Sequence, residues 1–295
     1  MEDMTIDIWK KEYNWRYYGG QISLVRTANY GGYARGPQWV GLEGRAGTRL
    51  ANVCPRHYYR FYEAEKCSGD LVHATISSAH PRLDAPDISK NPLTAIMPLG
   101  ILTNTLDVND IDSFKAEIVI LIELYAHLSN IQSRILTQNP SNQDQLIPSF
   151  TQLSIALDHR LLRLGKPPSL QTGLHTAAHT VLIICAFLIF RNFSPRSQTM
   201  KALQARLIPT LTILYITTGA LDRQELNMSL WILWIGALGA LEQEWYAPRI
   251  QRVISALGMS KWTDLKIVLE CFVWNAKLED TACWRLCDLV GISKG

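Results

Sequence analysis

Residues Asn227 to Val290 read NMSLWILWIGALGALEQEWYAPRIQRVISALGMSKWTDLKIVLECFVWNAKLEDTACWRLCDLV and hold six of the nine tryptophans of the chain. Large apolar residues recur here at steps of three and four, the spacing of one face of an α-helix. Two sets show it: Trp231, Trp234, Leu238, Leu241 and Trp245, and then Trp262, Leu265, Leu269 and Phe272. The spacing predicts three or four short amphipathic helices joined by an aromatic seam. The stretch contains no recognisable catalytic motif.

The composition of the whole chain is that of a globular protein. Its 295 residues are 47% apolar and 19% charged, enough for one large domain or two small ones with a sizeable core. The formal net charge is only +3, and the basic residues are scattered along the chain. A dedicated nucleic-acid surface is usually a basic patch, so the sequence argues against strong DNA binding by this chain alone.

The six cysteines do not form a metal-binding pattern. They are Cys54, Cys67, Cys185, Cys271, Cys283 and Cys287, and no Cys-x-x-Cys pair occurs. Cysteine clusters that bind zinc need close spacing, so no zinc cluster is expected. Cys185 lies in an apolar run and is expected to be buried, and Cys283 and Cys287 are predicted to lie on one helix face at a packed seam. Nothing indicates disulfides, which fits a reducing intracellular compartment.

No secretion signal or membrane span is expected. The N-terminus, MEDMTIDIWKKEYNW, is charged and lacks the apolar core of a signal peptide. The longest apolar run, Val181 to Phe190, is far shorter than the ~20 residues that cross a bilayer. We therefore expect a soluble protein that is not secreted and does not contact a membrane.

The C-terminal stretch also resembles a known family. The segments SLWILWIGALGA, EWYAPRI, SKWTDLK, CFVWNAKLED and ACWRLCDLV are similar, in order and spacing, to the C-terminal end of the fungal-specific transcription factor domain. This is the helical regulatory domain that follows the zinc binuclear cluster in many fungal regulators. A second similarity lies upstream, at Arg56 to Tyr59, at Asn91-Pro92-Leu93 and at Met97-Pro98-Leu99. The family's middle helices have no counterpart between Gly100 and Asp112, so the resemblance implies a domain that lacks part of its middle.

The resemblance carries expectations about function. It implies a nuclear, otherwise cytoplasmic, regulator of transcription that lacks its own zinc cluster. Such a protein would act through protein–protein interaction, as a homodimer or heterodimer, or by sensing a small-molecule effector, and would reach DNA only through a partner. No catalytic residue, cofactor or metal is expected. Two alternatives stay open: an enzyme of specialised metabolism with a helical pocket, derived from such a domain, and a fragment of a longer gene product.

The rest of the sequence predicts an all-α bundle of roughly seven to nine helices in residues 54–295, after an irregular arm in residues 1–53 that is rich in Gly, Arg and Tyr. Past Asp112 the pattern is almost continuously helical. The expected helices run from Phe114 to Leu136 with Asp112 or Ser113 as cap, Asn142 to Leu164, Leu170 to Phe190 and Gln198 to Gly219. The helix from Leu170 is the most apolar and is expected to be central. Pro209 is expected to kink or split the last one.

Three polar groups are candidates for chemistry. His175 and His179 share a helix face at the spacing of a metal-binding pair, but Thr176 stands where a catalytic glutamate would be and no third ligand is evident. Asp107, Asn109, Asp110 and Asp112 could hold Mg²⁺ for a diphosphate substrate, or serve only as loop and cap residues. The third group, Asp158, His159 and Arg160, is expected to lie on a solvated helix face, with Arg160 and Arg163 pairing with nearby carboxylates.

Overall fold

The computed structural model describes residues 14–18, 21–25, 69–77, 80–97, 110–137, 140–164, 173–217, 221–279 and 281–293. Within these ranges the predicted all-α bundle is confirmed, with nine α-helices and two short 3-10 turns, Pro92–Ile96 and Ala276–Leu278. The helices are α1 (69–77), α2 (Ile111–Leu136), α3 (Pro140–Arg163), α4 (Gly173–Ile189), α5 (Gln198–Thr217), α6 (Arg223–Leu238), α7 (Ala247–Leu257), α8 (Trp262–Glu270) and α9 (Thr281–Val290). The upstream similarity at Arg56 to Tyr59 and the gap between residues 100 and 109 lie outside the described residues.

Among its described residues, the N-terminal arm contains a pair of strands that the sequence does not predict. Strands β1 (Asn14–Tyr18) and β2 (Gln21–Val25) pair antiparallel, with Tyr18 opposite Gln21. Two residues, Gly19 and Gly20, separate the strands in sequence, and Gly-Gly is a favoured pair for two-residue hairpin connections. Residues 1–53 were expected to be irregular, and these ten residues are strands. Strand β1 contains aromatic residues and β2 contains β-branched residues, and both kinds favour strand structure.

Helix α4 is the centre of the bundle, as its apolar sequence predicts. It packs against α2, α3, α5 and α6. Twelve of its residues are buried, and they lie on all sides of the helix. A helix that is apolar all round must be surrounded by other elements, so its sequence accounts for its position. Its observed start at Gly173 follows residues 165–172, which lie outside the described range.

Helix α6 is a second centre, surrounded by α4, α7, α8 and α9. It begins with a capping box, in which Asp222 accepts from the Glu225 backbone while the Glu225 side chain accepts from the Asp222 backbone. Every residue from Met228 to Leu238 is buried. The neighbours approach so closely at Gly236 that a Cβ there would lie 2.8 Å from Tyr246 Cε1. Glycine is therefore part of the packing between α6 and the start of α7.

Two details of the helix ends correct the sequence predictions. The cap of α2 is Asp110 and not Asp112 or Ser113, because the Asp110 carboxylate accepts from the Ser113 backbone N–H at 2.7 Å. This bond lowers the pKa of Asp110 below its ordinary value. Asp112 instead pairs with Lys115 at 3.2 Å on the helix surface.

Pro209 does not split α5, which runs unbroken from Gln198 to Thr217. The side of the helix that carries Leu203, Leu207 and Leu211 is buried, whereas Pro209 is exposed on the other side. Packing of the buried side against α4 therefore holds the helix together despite the backbone hydrogen bond that proline cannot donate.

Candidate functional site

The predicted aromatic seam is confirmed and joins α6, α8 and α9. Trp262 is its centre: its ring centroid lies 5.9 Å from that of Trp234, 6.0 Å from Trp274 and 5.2 Å from Trp284. Beside this group, Trp231 stacks on Phe272 at 5.3 Å and donates its indole N–H to the Val273 carbonyl at 3.0 Å. Rings in contact at these distances add stabilisation beyond the apolar area that they bury.

The first apolar stripe of the sequence is interrupted. Helix α6 ends at Leu238, and Gly239 follows as its C-cap. Leu241 is 50% exposed, so the prediction that Leu241 and Trp245 continue the α6 face is wrong. A Cβ at Gly239 would lie 2.7 Å from Ile184 Cγ2, so the close approach of α4 favours glycine at this position. Glycine is a poor helix former, which favours the end of α6 here. Trp245 instead meets Tyr246 edge-on and carries the Arg249 guanidinium 3.7 Å above its ring.

Asp158 is the centre of a buried ionic cluster. Its carboxylate accepts the Tyr125 hydroxyl at 2.6 Å and the Arg191 guanidinium at 2.6 Å. All three side chains are buried. Burial, together with the adjacent Asp158 carboxylate, raises the pKa of Tyr125 well above its ordinary value, so the phenol stays protonated and donates. The cluster ties α2, α3 and the chain just after α4 to one another.

The neighbours of Asp158 are buried as well, which corrects the expectation of a solvated helix face. Arg160 makes a two-pronged ion pair with Glu117, at 2.5 and 2.9 Å, with both side chains under a tenth exposed. His159 Nε2 donates to the Leu83 carbonyl at 2.5 Å. The partners lie 33 to 76 positions away in sequence, beyond what a local pattern can show. One signal existed: Glu117 directly precedes the apolar run Ile118 to Ile122.

Residues 80–97 form an extended strap along α3. Besides the His159 contact, Gln152 Nε2 donates to the Asp87 carbonyl at 2.6 Å and Asn91 Nδ2 donates to the Ser149 carbonyl at 2.7 Å. Asn91 also accepts from the Leu93 backbone N–H at 3.0 Å, so it caps the turn that Pro92 begins. Polar contacts with α3 and the burial of Leu93 and Met97 therefore both hold the strap in place.

The two candidate histidines occupy different environments. His179 is partly buried, donates its Nε2 proton to the Leu161 carbonyl at 2.9 Å and packs on Phe114. Burial lowers the pKa of both His179 and the half-buried His175 below their ordinary value. Within the described ranges no three residues among His, Cys, Asp and Glu are grouped so that they could hold a metal ion. The hydrogen bond of His179 to Leu161 and its contact with Phe114 show that this side chain takes part in the packing of the bundle.

The acidic motif is only partly described. Asp107 and Asn109 lie outside the described residues, Asp110 caps α2, and Asp112 pairs with Lys115. Asp110 therefore performs the cap role that is the alternative to Mg²⁺ binding, and Asp112 forms a surface ion pair.

The cysteines differ in exposure. Cys185, Cys283 and Cys287 are buried, as predicted, and burial raises the pKa of the Cys185 thiol well above its usual range. Cys271 is exposed at the end of α8, and Cys54 and Cys67 lie outside the described residues.

Cys271 lines an open groove between α2 and the end of α8. The groove has a volume of about 250 Å³. Ile122, Ala126 and Phe272 provide its apolar surface, and Glu123, His127 and Glu270 contribute polar groups. The sequence does not predict this groove, because the residues from α2 and those from the end of α8 that form it are about 140 positions apart.

Comparisons of the chain with protein-family models, with curated proteins and with solved structures found no match. Among the described helices, none is both long enough and apolar enough to cross a membrane.

Proposed function

We propose that this chain is a transcription regulator of the fungal-specific kind, a helical regulatory domain that acts without a zinc cluster of its own. It binds another protein or a small effector, and it reaches DNA through a partner in the nucleus. The proposal is supported first by the sequence resemblance of five segments between Ser229 and Val290.

The observation that carries the proposal is the way those five segments pack. They occupy α6 to α9 with the intervening turns, and three of their tryptophans, Trp234, Trp274 and Trp284, meet around a fourth, Trp262. Four of the five segments meet at Trp262, and the remaining one, EWYAPRI, places Tyr246 against Gly236 of the first segment. Similar segments that pack into one structural unit are better explained as a domain than as five chance similarities.

The enzyme alternative depends on His175, His179 and the acidic motif. Of these, His179 binds a backbone carbonyl, Asp110 caps a helix and Asp112 pairs with a lysine. These structural roles account for the side chains without catalysis and favour the regulatory proposal. Thermal stabilisation of the chain by Mg²⁺ would instead favour the enzyme. Loss of a metabolic product in cells that carry the Asp110→Ala variant would favour it as well.

A tethering experiment tests the regulatory function. The full chain is fused to a DNA-binding module of known operator and expressed in yeast with a reporter gene behind that operator. The fusion is expected to change reporter output relative to the module alone. Trp262→Ala, which removes the centre of the seam, is expected to abolish the change, whereas Thr263→Ala, at the exposed neighbouring position, should retain it.

The proposal also makes a statement about DNA. The unfused chain is expected to give no specific shift of DNA in an electrophoretic assay at moderate salt, since sequence-specific binding would come from its partner. A reporter that does not respond to the fused wild-type chain, or tight specific DNA binding by the unfused chain, would contradict the proposal.

A further inference from the structure

The groove between α2 and the end of α8 has a preformed apolar surface. Ile122 is only 7% exposed, and Ala126 lies one helical turn further along α2. The Phe272 side chain is held in place by core packing, because its ring stacks on the ring of buried Trp231 with an angle of 17° between the planes. A wall that is held by core packing does not need to be ordered when a ligand binds, which reduces the entropic cost of binding.

The charged groups that line the groove are negative. Glu123 and Glu270 both contribute to the lining, and neither Lys nor Arg does so among the described residues. Glu270 pairs with Lys266 at 3.9 Å, but the Lys266 ammonium lies only 2.7 Å from Glu279. Lys266 is therefore held mainly by Glu279, and a positive ligand group in the groove would face two carboxylates.

We infer that this groove binds a small organic cation, an ammonium group carried on a single ring or a short apolar chain. The apolar part packs on Ile122, Ala126 and Phe272, and the ammonium lies near Glu123 and Glu270. An aromatic ring such as that of Phe272 also attracts cations. The inference rests on the small-effector branch of the proposed function, and it identifies the chemical class of that effector.

Size and ligand chemistry narrow the choice further. A volume of about 250 Å³ is below the roughly 300–1,000 Å³ of sites for drug-sized molecules, so the ligand is small. A bare metal ion fits poorly, because half of the named lining is apolar and no three metal-binding side chains are grouped in the described part of the chain. Anions would be repelled by both glutamates.

The test compares two probes of nearly equal shape. Benzylammonium and the neutral benzyl alcohol are titrated against the full chain at pH 7 by saturation-transfer NMR. Benzylammonium is expected to bind with a Kd of about 1 mM or below, and benzyl alcohol about tenfold more weakly. Glu123→Gln and Glu270→Gln should each weaken benzylammonium about two- to fivefold, while Glu242→Gln, at an exposed glutamate outside the groove, should leave it unchanged.

Two further variants locate the binding. Ala126→Trp fills the groove and should abolish binding, whereas Ala116→Trp, at an exposed position of the same helix, should not. Thermal unfolding checks that both variants fold. Equal binding of the two probes, no binding below about 10 mM, or full binding by a folded Ala126→Trp chain would overturn the inference. A reporter response without cation binding would refute the inference alone, and cation binding without a reporter response would refute only the proposed function.

Discussion

Asp158 shows how much stability one carboxylate can control. It compensates the buried Arg191 guanidinium and accepts the buried Tyr125 hydroxyl. Asp158→Ala would leave a buried positive charge without its partner, so we expect the free energy of unfolding to fall by about 3–5 kcal/mol in urea titrations. The double variant Asp158→Ala, Arg191→Met removes both charges and should lose less than the sum of the single variants.

The matched control for Asp158 is an exposed aspartate. Asp84 lies 3.7 Å from Arg163, and both side chains are largely in solvent. Exposed pairs are screened by water and salt, so Asp84→Ala should not measurably change the urea midpoint. A similar shift for the Asp84 and Asp158 variants would mean that burial does not set the strength of these pairs.

His179 predicts how stability depends on pH. Burial lowers its pKa below the ordinary value of 6.5, so the unfolded chain takes up a proton at a higher pH than the folded chain does. Stability is therefore highest above pH 6.5 and falls as the pH drops from 6.5 toward the lowered folded pKa. His179→Gln, which keeps an N–H donor for the Leu161 carbonyl, should flatten this fall in urea midpoints measured from pH 7.5 to 5. An unchanged slope would contradict the assignment.

At the scale of single residues, the sequence predicted burial from apolar spacing but not polar pairing. Trp231, Trp234 and Trp262 are buried as their spacing indicates. The trio Asp158 to Arg160 was wrongly expected in solvent, because charge usually marks an exposed position and the partners come from other helices. Whether a charged residue can be buried depends on its partner. Here each partner lies far away in the sequence, where a local pattern does not show it.

The helices were predicted more reliably than their ends. The expected helix from Asn142 to Leu164 is observed as Pro140–Arg163, and Gly173–Ile189 lies within the expected range from Leu170 to Phe190. Periodic burial along a whole helix determines where it lies, whereas its first turn depends on single capping bonds such as that of Asp110. The groove beside α8 could not be predicted, because its two walls are distant in sequence.

Pro209 gives a prediction at the scale of the helix. Pro209→Ala should restore a backbone hydrogen bond in the middle of α5 without disturbing the buried side. We expect the free energy of unfolding to rise by roughly 1–3 kcal/mol, measured by urea titration. Pro92 is the control: it begins a 3-10 turn, where proline fits, so Pro92→Ala should lower stability by up to about 1 kcal/mol. A gain at both positions would show that helix position does not matter.

At the scale of the molecule, the packing of α4 and a group of hydrogen bonds beside α9 join the helices of the bundle. Helix α4 packs on α2 and α3 on one side and on α5 and α6 on the other. The turn before α9 is fastened to α2, since Ser129 donates to the Trp274 carbonyl at 2.7 Å and Asn275 donates to Ser129 at 3.0 Å. The helices therefore share one core instead of forming separate halves.

This shared core predicts a single unfolding transition. Tryptophan fluorescence reports mainly on the seam between Trp231 and Trp284, whereas circular dichroism at helix wavelengths reports on all nine described helices. The two signals should give coincident urea midpoints. Fluorescence that changes before helicity would mean that the C-terminal helices unfold as a separate unit.

The close approach at Gly236 has a consequence for how this protein can evolve. The next atoms beyond a Cβ there belong to the rings and methyls of Tyr246 and Leu207, at 2.8 and 2.9 Å. A lineage that acquires alanine or serine at position 236 should therefore carry a smaller residue at 246 or 207, acquired first. In sequences related to this chain, positions 236, 246 and 207 should therefore change together, although 236 and 207 lie on different helices.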